Sequence, residues 1–135
     1  MNPQGFPVLV ARVLLALMFL FAGIEKFTSL EGTAGYIASA GLPMPKLLAL
    51  GAGVIEVAAS LMLIVGWQAR WAALALAGFT LLASFFFHNF WALPQDQQLT
   101  QMLFFFKNIA ATGGLLMVYA FGAGSISLDQ RRAAA

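Results

Sequence analysis

Two charged residues, Glu56 and Lys107, stand inside long apolar runs of the sequence. Lys107 follows Leu99, where its run begins, by eight residues, or about 12 Å along a helix that rises ~1.5 Å per residue. Glu56 lies at a comparable depth in its own run. A lysine at such a position in a bilayer costs on the order of 2.5–3.5 kcal/mol to insert, so it persists when it faces the protein interior and has a partner. We therefore predict an ion pair between Glu56 and Lys107 within a membrane bundle.

Other polar residues recur at helical spacing within the apolar runs, so each run carries one polar stripe that should point into a bundle. A polar, aromatic-edged cavity is the expected result, in the half of the bundle that holds His88. The candidate ligand-binding residues are Glu56, His88, Lys107, Asn108, Arg12, Lys26 and Trp91. The alternative for the charged pair is a structural clasp that fixes helix register, and Arg12 has the alternative of capping the bundle.

Several kinds of chemistry are excluded by composition. The chain has no cysteine and a single histidine, so it offers no thiolate for disulfide exchange, metal or iron–sulfur binding. One histidine with scattered carboxylates gives no metal-ligand spacing, and we expect no metal site. The net charge of +2 and the absence of a basic patch argue against nucleic-acid binding.

The overall composition is that of a membrane protein, since 61% of the 135 residues are hydrophobic and only 9% are charged, against roughly 25% charged in soluble domains. We predict an all-α, integral membrane four-helix bundle in a single domain spanning 1–135. The predicted membrane helices cover about 7–27, 46–66, 71–88 and 99–121, followed by a polar C-terminal tail over 122–135. A short interfacial helix is expected over Ser29–Ala40, and a polar loop over Asn89–Gln98.

The first helix is expected to be retained, because no small-residue cleavage site follows it. Four spans place both termini on one side of the membrane. Arg70, Arg131 and Arg132 fall on that side, so the positive-inside rule predicts that both termini are cytoplasmic.

Taken in order, a set of residues along nearly the whole chain resembles the DoxX family of small bacterial inner-membrane proteins. The residues that carry the resemblance are Arg12, Gly23, Lys26-Phe27, Gly41-Leu42-Pro43-Met44-Pro45, Glu56, Gly66, Arg70, His88, Phe90-Trp91, Lys107-Asn108 and Gly113-Gly114. The chain departs from the family at Ala123, where a proline is usual between two glycines, and this affects only how the last membrane helix ends.

The resemblance implies a four-helix protein of the bacterial inner membrane. Because some family members are associated with quinone-linked oxidation, it also implies a redox-associated subunit that binds a quinone or similar small aromatic ligand, with electrons supplied by a soluble partner. The other interpretation is a non-enzymatic scaffold, assembly factor or small-molecule binder whose buried charges are structural. No cofactor is expected on the chain besides a bound quinone. Membrane lipids are the expected partners, and a soluble redox partner and a second copy of the chain remain open.

Overall fold

The computed structural model describes residues 3–135 and is built entirely from helices. These are α1 (Gly5–Thr28), α2 (Leu30–Ser39), α3 (Pro45–Val65), α4 (Ala69–Phe87), α5 (Gln95–Phe121) and α6 (Leu128–Ala133), with a 3-10 helix over Phe90–Ala92. Of these, α1, α3, α4 and α5 are long and apolar enough to cross a membrane. The predicted all-α membrane bundle, with a short helix between its first two spans, is confirmed.

The four long helices run alternately up and down. α1 packs along α3, and α4 packs along α5, while α1 and α5 touch only sparsely. A tight turn joins α3 to α4, with Gly66 (φ 70°) and Gln68 (φ 48°) in the left-handed region. We call the end of the bundle with this turn, the start of α1 and helix α6 the terminal end, and the opposite end the α2 end.

The apolar core occupies the half of the bundle nearest the terminal end. Alanines on α4 let neighbouring helices approach closely there, as small residues do in membrane bundles. The residues at the centre of this core are Ala16, Leu63, Ala72, Ala73, Leu76 and Leu115. Packed side chains therefore fill the centre of this half of the bundle.

Arg12 closes the bundle at the terminal end. Its side chain is almost fully buried, and its guanidinium donates hydrogen bonds to the carbonyl oxygens of Ala123, of Ile126 at 3.0 Å and of Ile64 at 3.4 Å. A guanidinium carries five N–H donors in a planar fork, so a single side chain can tie the end of α3 to the segment after α5.

The C-terminal segment folds back onto the bundle through Asp129. Its two carboxylate oxygens accept hydrogen bonds from the backbone N–H groups of Gln68 (2.7 Å) and Ala69 (2.9 Å). These donors lie at the start of α4, where backbone N–H groups lack helical partners and a negative charge is favourable. The tail after α5 is therefore a folded part of the terminal end.

At the α2 end the loop before α5 is shorter than predicted. The polar stretch assigned to a loop over Asn89–Gln98 contains the 3-10 helix and the first turn of α5, which begins at Gln95. Pro94 precedes that turn and Asp96 lies within it, and both are favourable at a helix start. The helix therefore begins within the polar stretch, because the residues that favour a helix start lie there.

Two side-chain contacts fasten α2 across the α2 end. The Tyr36 hydroxyl donates to the Phe87 carbonyl oxygen at 3.1 Å, and the two rings stack with centroids 5.2 Å apart. Glu31 and Lys46 form an exposed ion pair at 2.5 Å that links α2 to the start of α3. Partial burial of the Tyr36 phenol raises its pKa, so the hydroxyl stays protonated over a wider range of alkaline pH.

Candidate ligand-binding cavity

A cavity of about 770 Å³ lies in the α2 half of the bundle. It is lined by side chains of α1 to α5, with α2 along one side, and most of this lining is apolar. Leu82 and Phe86 on its rim are 63% and 49% exposed. Both side chains lie on the membrane-spanning helix α4, so this part of the rim would face lipid in a membrane.

Glu56 and Lys26 form the ion pair of this cavity. Lys26 Nζ lies 2.7 Å from Glu56 Oε2, and the two side chains are 23% and 6% exposed. The ammonium also donates to the carbonyl oxygen of Ala22, one turn back on α1, at 3.3 Å. The predicted partner of Glu56 was Lys107, and that prediction is wrong.

Glycine makes the Lys26–Glu56 pair possible because it lets α1 approach α3. A Cβ placed on Gly23 would lie 2.9 Å from the Glu56 Cβ and 2.8 Å from a Val57 methyl group. On α3, a Cβ on Gly53 would meet the Phe27 ring at 2.9 Å. Lys26 lies one turn beyond Gly23, so the close approach of the backbones brings its side chain to the carboxylate.

Lys107 has an aromatic rather than an acidic neighbour. Its side chain is exposed, and its ammonium lies 5.4 Å from the centroid of the Phe104 ring, within the range of a cation–π interaction. No carboxylate pairs with it among residues 3–135. Lys107 nevertheless lines the cavity, and it contributes a positive charge that no protein carboxylate neutralises.

His88 and Asn108 are held in place by hydrogen bonds to neighbouring side chains. The imidazole Nδ1 of His88 is 2.8 Å from Gln101 Oε1, so the amide oxygen accepts from Nδ1–H and leaves Nε2 as the acceptor in the neutral ring. Asn108 donates to Ser84 Oγ at 3.0 Å, and Ser84 donates to the Thr80 carbonyl oxygen at 2.7 Å. These contacts fix both cavity-lining side chains in orientation.

The structure brings together five of the seven residues predicted for the site. Lys26, Glu56, His88, Lys107 and Asn108 all line the cavity. Arg12 lies at the terminal end and Trp91 packs in an aromatic cluster against Phe85 and Phe105, so neither reaches it.

Tyr36 and Thr80 line the cavity as well, although neither was a predicted site residue. Thr80 shares the helical stripe of His88, and this spacing could have identified it. The position of Tyr36 depends on how α2 folds over α4, which no local pattern reveals. Within the described residues, no group of three or more histidine or acidic side chains could hold a metal ion.

The family follows from the sequence comparisons. The DoxX family model matches residues 7–89, more than half of the chain. The chain belongs to the DoxX family. The matched segment covers most of α1 and all of α2, α3 and α4. It therefore contains the Lys26–Glu56 pair, Thr80 and His88.

Two relatives from Escherichia coli K12 match nearly end to end. Inner membrane protein YphA is 36% identical over 124 residues, covering 92% of this chain and 89% of the relative. Inner membrane protein YqjF is 36% identical over 126 residues, covering 91% and 89%. Together with the four apolar helices, these matches support a multi-pass inner membrane protein.

A more distant match is the Surfeit locus protein 4 homolog of Schizosaccharomyces pombe. It is 26% identical over 97% of this chain, which spans 39% of that longer protein. No solved structure matches the chain.

The cavity of this DoxX protein combines apolar walls with a small number of polar groups, the usual composition of a small-molecule site. It offers ammonium donors from Lys107 and Lys26, a carboxylate acceptor from Glu56, and the Nε2 acceptor of the neutral His88 imidazole. The arrangement can therefore hydrogen-bond or charge-pair with a polar group while its walls contact apolar surface.

Proposed function

We propose that this DoxX protein binds a quinone or a similar small aromatic ligand in the α2-half cavity, as a redox-associated membrane subunit. One observation carries the proposal: an apolar cavity, part of whose rim would face lipid in a membrane, holds several of the molecule's few charged and hydrogen-bonding side chains. Quinones dissolve in the bilayer, so a rim that faces lipid suits their entry. Their rings need apolar contact and their two carbonyl oxygens need donors.

The lining residues take distinct roles in this proposal. Lys107 and Asn108 donate hydrogen bonds to the ligand's oxygen atoms, and His88 exchanges a proton with them. Glu56 relays protons, and the Lys26 ammonium stabilises its carboxylate form through the ion pair. Phe79 and Phe86 flank the ring, since aromatic groups prefer stacked or edge contacts.

Electrons for such a reaction come from outside the chain in this proposal. The sequence has no cysteine and one histidine, which leaves it without a redox-active thiol or a bis-histidine haem. A soluble redox partner at the membrane surface therefore supplies or removes them, and the membrane chain binds and protonates the ligand.

A second candidate function is a non-enzymatic scaffold, or a membrane protein that binds lipids or small molecules. The observation that favours it is the Lys26–Glu56 pair at 2.7 Å, since each charge is already neutralised by the other. In that case the pair stabilises the contact of α1 with α3, and lipid chains fill the cavity.

Native mass spectrometry with lipid extraction separates the two functions. Gently purified wild type is compared with His88→Ala and Lys107→Met. Lys46→Met serves as the matched control, because Lys46 pairs with Glu31 outside the cavity. A quinone that co-purifies with wild type and the control, but not with the folded cavity variants, supports the redox function. Phospholipid alone, unchanged by all three substitutions, favours the second function.

We also propose that both termini face the cytoplasm. Arg70, Arg131 and Arg132 lie at the terminal end, and the positive-inside rule places such residues in the cytoplasm. Green fluorescent protein fused to the C-terminus should fluoresce, and alkaline phosphatase fused at the same point should be inactive. Active phosphatase at that point contradicts the orientation.

A further inference from the structure

Among the buried hydroxyl groups of the membrane spans, three have a hydrogen-bond partner within their own helix and that of Thr80 has none within residues 3–135. Ser60, Ser84 and Thr112 each donate to the carbonyl oxygen four residues earlier on their own helix. This is the usual way for a serine or threonine to satisfy its hydroxyl inside a helix. Thr80 is 3% exposed and its Oγ1 has no hydrogen-bond partner within residues 3–135.

The unpartnered hydroxyl of Thr80 belongs to a residue that lines the cavity. Thr80 lines the cavity, one helical turn from Ser84, and its own carbonyl oxygen already accepts the Ser84 hydroxyl at 2.7 Å. A buried hydroxyl without a partner is unfavourable, and natural proteins retain such groups where a ligand or water completes them. Thr80 and Glu56 both line this cavity.

We infer that the Thr80 hydroxyl is the polar anchor of the cavity and selects a ligand that carries an oxygen atom at its buried end. The inference rests on the proposed function and deepens it, because it assigns the discrimination between an oxygenated aromatic molecule and a plain hydrocarbon to one side chain. A hydroxyl both donates and accepts, so Thr80 donates to a quinone carbonyl and accepts from a quinol or phenol O–H.

Glu56 extends the same selection to the reduced form of the ligand. Its Oε2 is paired with Lys26, but a carboxylate has room for further hydrogen bonds, which it can only accept. A ligand hydroxyl can therefore donate to Glu56 and accept from Thr80, whereas a quinone carbonyl can only accept. An acyl chain satisfies neither group and leaves the Thr80 hydroxyl unpaired.

Three variants test the anchor. Thr80→Val removes the hydroxyl but keeps the branched shape, Thr80→Ser keeps the hydroxyl, and Thr112→Val removes a hydroxyl that is satisfied within its own helix and lies outside the cavity. Each is reconstituted in phosphatidylcholine nanodiscs and titrated with a short-chain 1,4-benzoquinone and with the benzene that carries the same chain. Melting temperatures are recorded without either probe.

The expected result is that Thr80→Val weakens benzoquinone binding about tenfold, the effect of one lost hydrogen bond. Thr80→Ser and Thr112→Val should bind it as wild type does, and the hydrocarbon should bind all four proteins alike. The melting temperature of unliganded Thr80→Val should not fall, because no protein hydrogen bond is lost.

Two outcomes would overturn the inference, and only the second would also overturn the proposed function. Wild-type benzoquinone affinity in Thr80→Val refutes the anchor and leaves the proposed function intact. A wild-type protein that binds no benzoquinone refutes the proposed function for this probe, and the anchor falls with it.

Discussion

Replacing Lys26 with methionine leaves the Glu56 carboxylate in the bundle without its cation. Removal of one partner of a buried ion pair costs about 3–5 kcal/mol, because the remaining charge is uncompensated. Lys26 is 23% exposed, so we expect the lower end of this range, about 3 kcal/mol. That corresponds to roughly a hundredfold change in the folding equilibrium.

The opposite change should cost less. Glu56→Gln frees the Lys26 ammonium, which lies near the end of α1 and can extend its flexible stem toward the membrane surface. We expect a cost of about 1 kcal/mol, similar to that of an exposed pair. In the double variant Lys26→Met/Glu56→Gln neither charge is left without its partner. Its loss of folding free energy should therefore be about 2 kcal/mol smaller than the sum of the two single losses.

Equilibrium unfolding in mixed micelles, titrated with denaturing detergent, measures all three variants. Lys46→Met is the control, because it removes a lysine from the exposed pair with Glu31 and should cost at most about 1 kcal/mol. The reasoning is refuted if Lys26→Met costs no more than Lys46→Met, or if the two cavity substitutions are additive.

Three further predictions concern the parts of the fold that position the cavity. Gly23→Ala should destabilise the bundle by about 1–3 kcal/mol, because the new methyl group meets Val57 at 2.8 Å; Gly78→Ala, which meets nothing within 4 Å, should leave thermal stability unchanged or raise it, and equal losses would contradict the packing argument. Asp129→Ala should cost about 0.5–2 kcal/mol in the same unfolding titration through loss of the α4 cap, and no loss would mean that the tail does not hold α4. Tyr36→Phe keeps the ring stack but removes the hydroxyl bond at 3.1 Å, so hydrogen exchange along α2 should speed up several-fold by mass spectrometry; unchanged exchange would mean that this bond does not fasten α2.

The fold could be predicted from sequence because each span is long, apolar and interrupted by few charges. Helical spacing also placed Arg12, Gly23 and Lys26 on one stripe of α1, and that stripe does face α3. Depth along the helix, however, could not identify the partner of Glu56. A lysine near a helix end can turn its side chain back into the bundle, as Lys26 does toward Ala22, and a lysine deep in a span can rest on an aromatic ring, as Lys107 does.

Contacts between residues far apart in the sequence could not be predicted. Asp129 caps a helix that begins 60 residues earlier, and Tyr36 bonds to a carbonyl oxygen 51 residues away. Neither pairing leaves a periodic pattern, because each depends on how the completed helices are arranged. The candidate site could be predicted only in part for the same reason. Its polar stripes follow from local helical spacing, whereas the packing of α2 over the cavity depends on the arrangement of the whole bundle.

The closure of the terminal end by Arg12 has a consequence for any molecule that enters the cavity. Between the cavity and the terminal surface lie the alanine- and leucine-rich core and a guanidinium bonded to three carbonyl oxygens. The cavity is therefore closed toward the terminal end. A passage through the whole bundle would require the Arg12 hydrogen bonds to the end of α3 and to the C-terminal segment to break.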